Sequence, residues 1–172
     1  MFKRMLVLSL SFIFCLSAIP VSASVLSEGG GSSVQGEVQK EETLELDIVA
    51  FEERVIELTN QAREEAGLEA LEMEHPLMAA AKEKSRDMQG NGYFAHESPT
   101  YGSPFDLMKV FGVTYMAAGE NIAMGQSTPE EVVTAWLNSP GHRANIMNPN
   151  FTHIGVGYIE NGHYWTQHFI GK

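Results

Sequence analysis

The 172 residues contain one cysteine, Cys15, and it lies inside an apolar run at the N-terminus. A chain that sheds that run has no thiol at all. No disulfide can staple it and no thiolate can serve as its nucleophile, so its stability must come from burying apolar surface. The run has the marks of an export signal: Lys3 and Arg4 as a basic n-region, residues 5–19 as an apolar h-region, and Val21-Ser22-Ala23 as a small-x-small cleavage site. It is shorter than the roughly 20 apolar residues that span a bilayer. Cys15 follows Phe12-Ile13-Phe14 in mid-run, away from the small residues where a lipidated cysteine would stand. Residues 1–23 are expected to be a cleaved signal peptide. The mature protein is expected to be secreted, extracellular or held in the cell envelope, with no stable membrane span.

The formal charge of the whole chain is −11, and loss of the leader, with two basic residues and no acid, takes it to −13. Nucleic acid is excluded as a natural partner on this balance. Residues 24–46 hold the run Gly29-Gly30-Gly31-Ser32-Ser33 followed by an acidic stretch. With little apolar surface to bury, they are expected to be a flexible acidic linker. Residues 47–172 then have the size of one compact domain.

Within that domain, Phe51, Val55, Leu58 and Ala62 recur at helical spacing, and the spacing predicts a first helix over residues 48–66, stopped at Gly67. Pro76 opens a second, ended by Gly90-Asn91-Gly92, and a third runs over residues 104–111. Thr128-Pro129-Glu130-Glu131 is a capping box for a fourth, with Trp136 on its buried face. Ser139-Pro140 starts a short fifth helix. Residues 152–159 and 163–170 read as a β-hairpin about Glu160-Asn161-Gly162. Helices first and strands late predict an α+β domain with a small antiparallel sheet.

Familiar hydrolase signatures are missing: there is no HExxH, no GxSxG and no phosphate-binding glycine loop. Three other segments stand out: Phe94-Ala95-His96-Glu97-Ser98-Pro99, Gly119-Glu120-Asn121-Ile122-Ala123, and residues 136–147, reading WLNSPGHRANIM. His142, third in a helix begun at Ser139-Pro140, meets the positive end of the helix dipole and is expected to stay neutral, the form that ligates metal or accepts a proton. Glu120 could orient an imidazole, act as a base on bound water, or only bond backbone at a strand end. His75 reads as a helix-start residue. His153, His163 and His168 alternate with apolar positions and are expected at exposed faces or core edges.

Together with the closing Ile154-Gly155-Val156-Gly157-Tyr158 and Tyr164-Trp165-Thr166-Gln167, these segments resemble the CAP superfamily, in its bacterial branch. That superfamily groups the SCP-like cysteine-rich secretory proteins, antigen 5 and pathogenesis-related proteins of class 1. The resemblance implies an α-β-α sandwich of the CAP type with a cleft of two histidines and two glutamates. It assigns His96 and His142 as holders of a divalent metal such as zinc, weakly bound, and Glu120 as the catalytic or orienting carboxylate. The second glutamate falls on Ser139, so the tetrad is incomplete, and Ser139 and Asn121 are left as cleft support. The implied function is an extracellular or envelope binding module for a small apolar or lipid ligand or an envelope component. A metal-assisted, protease-like hydrolase using His96, His142 and Glu120 is the alternative, and a structural envelope or spore-coat role is the third.

Overall fold

A computed structural model describes residues 31–172, with side chains from residue 36 onward. The expected signal peptide and residues 24–30 lie outside them. The elements run α1 (Gly31–Glu65), β1 (Glu72–Met73), α2 (His75–Asn91), α3 (Pro104–Val110), β2 (Ala117–Met124), α4 (Pro129–Asn138), α5 (Pro140–Ile146), β3 (His153–Ile159) and β4 (Tyr164–Gly171).

Residues 31–46, expected to be a flexible linker, are instead the first half of α1. Beyond Gly36 this stretch has no proline and, apart from Val38 and Thr43, is built of Glu, Gln, Lys and Leu, all good helix formers. A helix already nucleated by the packing of Val55 and Ile56 propagates upstream through such residues at little cost. Its side chains are almost all exposed. One ion pair, Lys82 to Glu45 at 2.6 Å, ties it to α2.

The expected helix punctuation is largely present. Thr128 caps α4 by accepting the Glu131 N–H, and Ser103 caps α3 through the Asp106 N–H. Glu131 reaches back one residue further than a capping box requires, to the N–H and hydroxyl of Ser127. Gly92 ends α2 in the left-handed conformation at φ 65°, where Tyr93 N–H returns to the Met88 carbonyl.

The strands form one sheet in the order β1-β3-β4-β2. It is antiparallel except for the two-residue β1, which pairs parallel with β3. Side chains alternate across it. Ile154, Val156, Tyr158, Trp165 and Phe169 join Val55 of α1 and Trp136 of α4 in the main core. On the opposite face, Gly155 and Gly157 leave room for α2: a Cβ on either would lie 2.3 or 2.2 Å from helix backbone. Leu77, Met108, Val113 and Ile170 close a second core there. Helices therefore cover both faces, giving the α-β-α sandwich. Arg63, 1% exposed, locks the end of α1 to the loop that follows it and to the end of α5 and the turn beyond, by donating to the carbonyls of Glu69, Ile146, Asn148 and Phe151.

Candidate functional site

β2 is an edge strand, and the site is built around it. Its neighbours Glu120 and Asn121 point to opposite faces, as successive strand residues must. Glu120 stands opposite His168 of β4 on the α2 face, and Asn121 opposite Gln167 on the other. Two carbonyls on the free edge are taken by side chains: Asn145 of α5 donates to Glu120 O at 3.0 Å and Trp136 to Ile122 O at 3.3 Å. Added strands find those acceptors occupied.

The Glu120 side chain is only 2% exposed, and both oxygens are bonded. Oε1 meets His96 Nδ1 at 2.6 Å and Oε2 meets His168 Nε2 at 2.9 Å. Burial would push this carboxyl up, but hydrogen bonds from His168 and His96, with Lys84 nearby, outweigh it and hold it below its ordinary value. An ionised carboxylate only accepts, so each imidazole presents an N–H to it. In neutral His96 this leaves Nε2 free to accept, on a side chain 56% exposed. The bond to Glu120 raises the His96 pKa, with burial opposing.

His96 sits on a loop fixed from below. Asp87 of α2 accepts from the Tyr93 hydroxyl, from Ser98 Oγ at 2.6 Å, from Thr100 Oγ1 at 2.7 Å and from Asn91 Nδ2 at 2.7 Å. Buried Lys84 donates to the His96 carbonyl at 2.7 Å. His142 is held in the same manner from the other side, its carbonyl accepting from Asn121 Nδ2 at 3.1 Å. Asn121 in turn bonds Gln167 and Asn145, and Gln167 bonds Thr59 of α1. The dipeptide Glu120-Asn121 thus grips one histidine by its ring and the other by its backbone.

His142 is third in α5, as expected, and its pKa is lowered, by burial first and by the charge on nearby His96 second. Its ring makes no hydrogen bond to Glu120 among the described residues. Ser139 stands at the start of α5, but its hydroxyl makes no capping bond. Asn121 ties β2 to α5 through the His142 carbonyl and Asn145. Among the described residues no group of three or more His, Cys, Asp or Glu is disposed to hold a metal ion.

His168 was expected at an exposed face or core edge; it is fully buried and bonded to Glu120. Lys84 and Asp87 also escaped the sequence reading. The alternation Thr166, His168, Ile170 was the available signal, but it does not say which sheet face each set occupies.

A four-stranded sheet between helices, with a buried glutamate and two rim histidines at its open edge, defines an α-β-α sandwich of the SCP-like class. Residues 56–170 match the family model described as CAP, the cysteine-rich secretory protein family, and the chain belongs to it. It is 62% identical over 125 residues to the uncharacterised protein YkwD of Bacillus subtilis, covering 73% of this chain and 49% of that one. It is 41% identical over 121 residues to the uncharacterised membrane protein YlbC of the same organism, covering 70% and 34%. The chain therefore spans half or less of the length of these relatives. Among solved structures it is similar to an extracellular protein of Bacillus anthracis containing an SCP domain, with a TM-score of 0.69, 37% identity, and coverage of 72% and 41%. An outer surface protein of Borrelia burgdorferi shares the fold at a TM-score of 0.63 and 23% identity, covering 68% and 89%.

Proposed function

We propose that this CAP domain is an extracellular or envelope binding module whose ligand is received between His96 and His142. The observation that carries the reading is the Glu120 carboxylate bonded at both oxygens, which leaves His96 Nε2 as an open acceptor at a solvent-exposed rim. The description of the Bacillus anthracis relative as extracellular supports the location.

A divalent cation such as zinc fits the donor chemistry only in part. Two imidazoles, one oriented through its other nitrogen by a carboxylate, are of the type such ions take. A third protein donor is missing among the described residues, so binding is weak and His96 and His142 are the ligands. Bound there, the ion would supply a Lewis acid.

The carboxylate–imidazole pair favours one second reading, a hydrolase. In it Glu120, with both oxygens engaged, orients, and His96 Nε2 is the proton acceptor facing the cleft.

Calorimetric titration with zinc at neutral pH, on the full chain and on His96→Ala and His142→Ala, tests the site. Binding lost in both folded variants supports it, and equal binding by all three proteins overturns it. Protons compete first at His96, whose pKa is raised, so affinity falls as pH drops toward about 6.

A further inference from the structure

His168 is the one fully buried histidine on the α2 face of the sheet, between Thr166 and Ile170 on β4, where an apolar side chain would ordinarily stand. Across from it on β3 is Gly155, against whose missing side chain the α2 backbone is pressed. The imidazole is therefore confined, with no room to swing. It spends one nitrogen on Glu120 Oε2, and the other, Nδ1, is buried with no hydrogen-bond partner among the described residues. A lone unmatched nitrogen is a standing cost, which an apolar residue in this place would avoid.

The return on that cost lies at the carboxylate. A buried carboxylate with one oxygen unbonded is free to turn about its terminal torsion, and that turn removes the acceptor that meets His96. With Oε2 pinned by the Nε2–H of His168, the plane of the carboxylate is set and Oε1 faces His96 Nδ1. The proton on His96 then stays on Nδ1, and Nε2 keeps its lone pair toward the cleft.

From this geometry we infer that His168 is a positioning residue of the cleft, a buried donor that acts through Glu120 to hold His96 in its Nδ1–H tautomer. The inference deepens the reading of the cleft as a ligand site, and it adds a residue that touches no ligand. No bound ion or turnover enters its test, so its failure is separate from failure of the binding reading.

The test is a long-range nitrogen–proton correlation spectrum of the full chain with 15N-labelled histidine, recorded at mildly alkaline pH. In the unmodified protein His168 should show the Nε2–H pattern and His96 the Nδ1–H pattern. His168→Gln keeps a donor near the place of Nε2, and the His96 pattern should persist. His168→Phe keeps ring volume and removes the donor, and the Nδ1–H pattern of His96 should be lost in favour of Nε2–H. A His168→Phe protein that is folded and retains Nδ1–H at His96 overturns the proposal, as does loss of that pattern in His168→Gln. Should His168→Phe not fold, the unmodified protein decides alone: an Nδ1–H signature at its own His168 refutes the inference.

Discussion

Replacing Gly157 by alanine adds one methyl group where the structure has none to spare. The new Cβ would lie 2.2 Å from Lys82 N and 2.3 Å from Ala81 C, both helix backbone, whereas ordinary contact begins at 3.4 Å. Backbone cannot rotate aside as a side-chain tip does, so α2 must retreat by about 1 Å, at an overpacking cost of about 1–3 kcal/mol. The retreat also stretches the buried bonds of Ser85 Oγ to Gly157 O, now 3.0 Å, and to Thr166 Oγ1, now 2.9 Å. Each contributes about 1 kcal/mol. The sum is about 3–5 kcal/mol, a large share of the 5–15 kcal/mol typical of a domain. Urea unfolding of wild type and Gly157→Ala at 25 °C measures it, with Gly90→Ala as control. A Cβ on Gly90, in the last turn of α2, meets nothing within 4 Å among the described residues, so that variant should gain up to about 0.5–1 kcal/mol. A Gly157→Ala protein within about 0.5 kcal/mol of wild type would refute the claim that the close approach of α2 needs glycine.

Arg63→Met leaves four carbonyls without their guanidinium donor and should cost about 3 kcal/mol or more, read as a fall in urea midpoint. An unchanged midpoint would show the clamp to be dispensable. Burial pushes the Glu52 carboxyl from 4.5 up to about 7, with the Tyr158 N–H opposing. A raised carboxylate pKa favours the folded state at low pH, and this contribution is lost as pH rises through about 7. Glu52→Gln should therefore be more stable than wild type at pH 8, by about 1–3 kcal/mol, and should flatten the stability profile between pH 5 and 8; equal stability of the two proteins at pH 8 would count against this.

The amphipathic spacing of Val55, Leu58 and Ala62, the prolines at 76, 104, 129 and 140, and the alternation from Ile154 onward carried most of the architecture, because each is a local signal with a short-range cause. Residues 31–46 misled because glycine and charge report poor burial, which is correct here, and say little about whether a helix begun downstream will extend through them. β2 gives weak alternation in Ala-Ala-Gly-Glu-Asn-Ile-Ala-Met, and its place at the sheet edge depends on pairing with a strand more than forty residues later. His96 and Glu120 were legible as site residues through the motifs that resemble the CAP superfamily, and His168, which lies in none of the three segments singled out as site motifs, was not. Its partner is fixed by the cross-strand pairing Glu120↔His168, which no local pattern encodes.

The two central strands of the sheet, β3 and β4, are the last in the chain. A chain emerging amino end first can form α1 and α2 early, but it has nothing to lay them against until residues 153–171 are free. Contacts such as Glu52 to Tyr158 and Thr59 to Gln167 span 106 and 108 residues. Folding therefore waits for the carboxyl-terminal segment, and the long loops closed at that moment make for a slow final step. The cleft, whose Glu120 needs β4 beside it, is assembled only in that last step.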